Sequence, residues 1–359
     1  MLKNPKPYIA FSIVPLFLIV KLLKQFPEVV ETYYSLGIYP VISSLFRFTL
    51  GWIPFSFGDL FYGFAIIYMV RWLILNRRRI IKDTKPWLID VFAAISIIYF
   101  AFHLFWAMNY HRMPLHESLS LKADYSNGAL ISVTERLIKK SNTLHLELAE
   151  NDTIKIDLPY SKKEIISLIP EGFDALQKEF PHLEYHPKSI KKSLFSLPLT
   201  YMGFSGYLNP LTNEAQINSL IVPYRFPVVG SHEVAHQLGY AKENEANFIG
   251  GLASIIHPDI YFNYSGYTFL LKHCLSEIYK RDSDMYFEII KTINKGVLKN
   301  YQETQDFWES YKNPAEPLFK STYNSYLIAN NQKEGMESYS YVVALIVNYF
   351  ETKKASEKF

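Results

Sequence analysis

The chain has a single cysteine, Cys274, in 359 residues. No intramolecular disulfide and no thiolate cluster for zinc or iron and sulfur is available to it, whatever the redox compartment. Any metal has to rest on His, Asp or Glu. Charge is also sparse: 20% of residues are charged against 49% hydrophobic and 16% aromatic, which excludes a disordered or collagen-like chain. The formal net charge of +3 is unevenly held, because residues 1–108 carry 11 Lys or Arg against 5 Asp or Glu and the remainder 26 against 29. The longer part lacks the basic face of a nucleic-acid binder, so nucleic acid is not expected as a partner. There is no internal repeat and no low-complexity tract. Gly203-Phe204-Ser205-Gly206 lacks the spacing of a nucleophile elbow, and His273-Cys274 has no third partner in sequence, which leaves serine and cysteine hydrolase chemistry weakly supported.

What the sequence does contain is apolar length at its start. The composition divides it into a membrane domain, residues 1–108, and a water-soluble domain, residues 109–359. Three transmembrane helices are expected at about 8–23, 57–75 and 88–108. The residues after the first, Lys24-Gln25-Phe26-Pro27-Glu28, offer no small-x-small cleavage pattern, so it is read as an anchor that stays. Segment 36–55 is apolar around Arg47 and broken by Pro40, Gly51 and Pro54; it is read as interfacial, since a central Arg costs about 2.5–3.5 kcal/mol in a span. A fourth crossing there is the alternative. Arg77, Arg78, Arg79, Lys82 and Lys85 lie between the second and third spans, whereas residues 25–56 hold only Arg47. Basic loops stay cytoplasmic, so the C-terminal domain is expected outside the cytoplasm, with the lipid bilayer as a partner.

Beyond residue 109 the expected fold class is mainly α, helix-rich with a small β hairpin or sheet. Helical spacing runs through Leu130, Val133, Leu137 and Ile138, and again through Ile165, Ile169, Phe173 and Leu176, with Pro170 a kink or break. Helices are also expected at 267–281, 284–297 and 338–350. Gly and Pro punctuate 197–227, where short strands are expected at 206–209 and 215–220.

Chemistry concentrates in Ser231-His232-Glu233-Val234-Ala235-His236, followed by Gly239 and by Glu243-Asn244-Glu245-Ala246-Asn247. On a helix, His232 and His236 stand one turn apart on one face and reach one cation, with Glu233 beside them as a general base. Gly239 suits a left-handed cap that turns the chain back. Glu243 then supplies a third ligand, and Asn247, one turn further on the same face, supports a ligating His. Glu245 points about 200° away on the helical wheel and is the fallback ligand. Two His and one Glu with an open fourth position form a catalytic rather than a structural zinc set, suited to amide hydrolysis. Tyr339 is a candidate oxyanion donor, and the strand expected at 215–220 a candidate edge for an extended peptide. His111, His116 and His103 are read as structural.

With these residues the chain resembles the HExxH metallopeptidases of the zincin group. Glu243-x-x-Ala246-Asn247 is similar to the ExxAD element of membrane-bound CAAX prenyl endopeptidases, with Asn247 where they have Asp and a shorter gap after His236. Over nearly its whole length the chain also resembles a bacterial family of membrane-anchored HExxH proteins, domain of unknown function 3810. The resembling stretches are 54–59, 109–115, 212–218, the metal segment and 325–330. The resemblance implies a multi-pass protein of the bacterial inner membrane, zincin-like, with Zn2+ on His232, His236 and Glu243. The expected function is a zinc-dependent peptidase acting on a peptide or protein. The alternative is a catalytically silent metal-binding scaffold of the cell envelope.

Overall fold

The computed structural model describes residues 4–330 and 339–355. It is mainly helical, with one small mixed sheet. Among the described residues three helices are long and apolar enough to cross a membrane: α1 (Lys6–Leu23), α3 (Phe57–Asn76) and α4 (Thr84–Phe105). At 1.5 Å per residue each spans about 27–33 Å, close to the hydrocarbon thickness of a bilayer. Their outer faces carry Phe17, Ile19, Phe64, Ile67 and Ile98 exposed, which is the composition that lipid solvates. Polar contacts tie them together: Ser12 Oγ lies 2.8 Å from Ser96 Oγ, and Asp90 takes both Lys6 and Arg79 at 2.7 and 2.9 Å. These last pairs gather the basic residues at one end of the bundle. The third span ends at Phe105, before the expected residue 108, because Trp106 leaves helical geometry and Ala107–His111 form a tight 3-10 turn.

Between α1 and α3 the chain runs through a π-helical stretch, Val30–Ile38, into α2 (Tyr39–Leu50). Tyr39, Ser43 and Arg47 recur every four residues on one buried face, while Val41, Leu45 and Phe48 are exposed on the other. This helix therefore turns its polar stripe toward protein and its apolar stripe outward, the reverse of a helix on a soluble domain. Its 12 residues cover about 18 Å and continue the π-helical stretch without a break.

The rest of the chain builds α5 (Asn127–Ala149), α6 (Lys162–Leu176), β1 (Ile190–Lys192), α7 (Ser196–Met202), β2 (Gly206–Asn209), β3 (Glu214–Ile217), α8 (Phe226–Gln237), α9 (Glu243–Ile255), α10 (Ile260–Arg281), α11 (Ser283–Ile290), α12 (Lys295–Ser310), α13 (Glu316–Ala329) and α14 (Tyr339–Ala355). Pro170 sits inside an unbroken α6. The helix expected over 284–297 is two, since residues 291–294 turn and the Asn294 N–H donates to Asn142. The sheet order is β1-β3-β2, with β1 parallel and β2 antiparallel to β3. β3 stops at Ile217 rather than 220 because the Asn218 side chain accepts the Leu220 N–H at 2.9 Å and turns the chain. β3 is paired on both sides, so the sheet's edges belong to β1 and β2, not to the strand expected to offer one. Helices α8 and α9 form the centre of the core, with Val234, Ala235, Phe248, Ile249 and Leu252 all buried.

Polar contacts weld the membrane helices to this sheet. Glu214 accepts the Phe57 and Gly58 N–H groups at the start of α3, the Thr212 hydroxyl and the Lys191 ammonium. A carboxylate at a helix N-terminus meets the positive end of its dipole and its unpaired donors. Asp59, the next residue, accepts from the Ser193 hydroxyl, the Leu194 N–H and the Tyr207 hydroxyl. The apolar cluster of Val30, Tyr34, Tyr39, Trp106, Met108, Tyr110, Leu208 and Ala241 likewise joins residues from both sides of position 108.

Candidate functional site

Helix α8 carries the paired histidines. It starts on Pro227 at its second position, where a missing N–H costs nothing, and ends where Gly239 takes φ +91°. The return is a left-handed cap: Gly239 N–H bonds His236 O at 2.9 Å and Tyr240 N–H bonds Ala235 O at 3.1 Å. This turn delivers the Tyr240 carbonyl to His236 Nδ1 at 2.7 Å. With Nδ1 as donor there, Nε2 faces the cleft and is the nitrogen a cation would take in place of a proton.

Glu243 opens α9, and the two helices approach so closely that a Cβ on Gly250 would lie 2.6 Å from the His232 nitrogen. Only glycine permits that contact. The result brings Glu243 Oε2 to 3.3 Å from His232 Nε2 and Oε1 to 3.5 Å from His236 Nε2. Among the described residues, His232, His236 and Glu243 form the one group of three such side chains whose ligand atoms all lie within 4.8 Å of one another. Asn247 lines the same cleft beside His232. Glu245 is fully buried elsewhere, accepting the Leu115 N–H at 2.9 Å. Tyr339 opens α14, and its side chain lies outside the described residues.

The electrostatics of the group demand positive charge. Burial alone would lower His236, but the carboxylate of Glu243 outweighs it and raises His236 to about 9. Burial raises Glu243 and the two imidazoles more than reverse this, holding it well below the ordinary range. Glu233 is pushed up to about 8, mainly by burial, against the lowering effect of His236. Its Oε2 has no hydrogen-bond partner among the described residues, and its Oε1 packs over Gly206, where a Cβ would come within 2.6 Å. Two nitrogens and a carboxylate converging beside a buried, unpaired second carboxylate fit a divalent cation with a nearby proton acceptor.

These side chains line a cleft of about 560 Å³ walled by Phe204, Gly206, Tyr207, Arg225, Val228 and Phe269, and by Tyr323 and Tyr326 of α13. β2, an edge of the sheet, forms one wall. Tyr323 donates its hydroxyl to Glu243 Oε1 at 2.6 Å and stacks on Tyr326, whose hydroxyl lies 3.1 Å from that of Tyr110. Trp106, at the end of the third span, donates to His236 O at 3.3 Å. The cleft thus adjoins the bundle end opposite to the basic loop. Below it, Arg112 pairs with Glu31 at 2.6 Å, donates to Gly239 O at 3.0 Å and lies 4.1 Å over the Tyr240 ring, bracing the turn that orients His236.

Sequence reasoning missed Tyr323, Arg112 and Glu31. Arg112 and Tyr326 fall inside stretches that carried the family resemblance, yet a pairing across 81 or 216 residues has no local signal. His116 bonds the Tyr341 hydroxyl at 2.7 Å and His103 the Tyr99 carbonyl at 2.9 Å.

No curated protein and no solved structure shows a significant match to this chain. A family profile does, over residues 34–347, a stretch that holds both helices of the candidate site, the sheet and two of the three apolar spans. The chain belongs to the family described as Protein of unknown function (DUF3810).

Proposed function

We propose that the protein is a membrane-anchored, zinc-dependent peptidase with a zincin-like catalytic domain. The observation that carries this reading is the convergence of His232, His236 and Glu243 beside the unpaired Glu233 in a cleft bounded by a sheet edge. Zn2+ held by the three side chains would supply a Lewis acid that acidifies water and polarises a carbonyl. Glu233, buried beside the three ligands with its Oε2 unpaired, serves as general base and returns the proton to the leaving amine. The Tyr323 hydroxyl is a donor within reach of the same space. An extended peptide lies along β2, where backbone groups at a sheet edge hold main chain of any sequence. The domain sits on the outer face of the bacterial inner membrane, with the loop of Arg77–Lys85 in the cytoplasm.

The test is metal analysis and turnover of the full chain purified in detergent. One zinc per chain and hydrolysis of degenerate fluorogenic peptide pools are expected, with Glu233→Gln keeping the zinc and losing at least about a hundredfold in rate. A Glu233→Gln protein that hydrolyses peptides normally, or a chain with no stoichiometric divalent ion, refutes the reading.

A further inference from the structure

One face of α8 lines the whole cleft. His236, His232, Val229 and Val228 follow one another toward its N-terminus, Arg225 caps the helix just before Phe226, and all five border the same space. Arg225 is seven residues, two helical turns, before His232, so its backbone lies about 10 Å further along the helix axis on the same side. Its guanidinium rests 4.6 Å from the centre of the Phe269 ring, itself a cleft residue. Among the described residues no carboxylate pairs with the Arg225 guanidinium and no carbonyl accepts from it, unlike those of Arg112, Arg79 and Arg281, which each hold a carboxylate. Burial lowers its pKa from the usual value, with partial compensation from the Tyr224 and Tyr301 hydroxyls. Lys272, exposed on α10, is a second cation near enough to feel the charge of Arg225, and it too has no acidic partner among the described residues. A guanidinium half withdrawn from water and without a counterion is incompletely solvated, so it marks a place where an anion completes the site.

We infer that Arg225 is the specificity-determining cation of the cleft and that the peptide substrate presents a carboxylate to it. The inference rests on the peptidase reading for its substrate class. The offset of about 10 Å from His232 matches roughly three residues of extended chain at 3.3–3.4 Å each, so the carboxylate stands two or three residues from the scissile bond. Val228, Val229 and Phe269 between them give the intervening residues an apolar wall. The guanidinium fork suits a carboxylate in two-point contact, which a lysine cannot copy. Either a free C-terminus or an Asp or Glu side chain supplies that group.

Binding separates this from the catalytic reading. On the full-length Glu233→Gln protein in detergent, fluorescence anisotropy is measured with labelled, degenerate hexapeptide pools. One pair of pools ends in a carboxylate or a carboxamide, and a second carries one fixed Glu or Gln. At least about tenfold tighter binding of one acidic pool is expected, since a hydrogen bond to a charged group is worth that much. The first pair reports a C-terminus, the second a side chain. Arg225→Gln should erase the preference and Arg225→Lys should retain part of it, with zinc content and melting temperature unchanged as the check on folding. Equal binding of acidic and neutral pools, no binding of either, or a preference that survives Arg225→Gln overturns the inference. Displacement of peptide by short-chain anionic lipid alone, with no acidic preference among peptides, overturns it in favour of a lipid headgroup. Acidic preference without cleavage by the wild-type chain supports Arg225 and sinks the peptidase instead.

Discussion

Replacing Gly250 by alanine asks whether contact between α8 and α9 sets the ligand geometry. An added Cβ would lie 2.6 Å from His232 N and 2.8 Å from His232 Cα, both backbone atoms of a helix that cannot rotate aside. Carbon requires about 3.5–4.0 Å to such neighbours, so the helices must part by roughly 1 Å at that point. The histidine pushed away is the one whose Nε2 stands 3.3 Å from Glu243 Oε2. Ligand distances tolerate about ±0.2 Å, and disturbing ligand orientation typically weakens metal affinity by about 10- to 100-fold. Overpacking costs about 1–3 kcal/mol of stability, partly offset by the gain of about 1 kcal/mol for alanine over glycine in a helix. Gly251→Ala is the control, because its Cβ meets only the Leu270 side chain, which can turn away, and its helix propensity gain is the same. The assay is zinc competition with a chelator on both full-length variants, alongside thermal melting. Equal zinc affinity in the two variants, at equal folding, refutes the claim that this contact sets the site.

Three further outcomes follow from the geometry. Glu243→Gln should lose stoichiometric zinc while Glu245→Gln keeps it, since Glu245 is committed to the Leu115 N–H; metal analysis of both decides. Tyr323→Phe should keep zinc and leave KM nearly unchanged while kcat falls by about 100-fold or more, the usual effect of removing one oxyanion donor; an unchanged kcat assigns Tyr323 to orienting Glu243 alone. Glu214→Ala should destabilise the docking of α3 by about 3–5 kcal/mol, because it leaves Lys191 buried without its partner. A lowered melting temperature and new protease cleavage near residues 190–214 are the readouts, and a wild-type profile contradicts that account.

The physical split between what sequence reveals and what it conceals is visible in individual residues. Long apolar runs announce α1, α3 and α4, because a spanning helix needs only local composition to be recognised. His232, His236 and Gly239 are likewise legible, since ligand spacing and a left-handed turn are properties of adjacent residues. β2 was placed at its exact residues, whereas its position at the sheet edge was not, because three-residue β1 has no periodicity of its own and only tertiary pairing puts it against β3. The same holds for Tyr323 on Glu243 and Arg112 on Glu31, which join residues 80 and 81 positions apart. Local chemistry is written along the chain; which helix approaches His232 closely enough to complete the group was decided by the packing of Gly250, and which wall of the cleft bears an uncompensated cation was decided by where Arg225 came to rest. Both depend on close contact across the fold, which no pattern of neighbouring residues encodes.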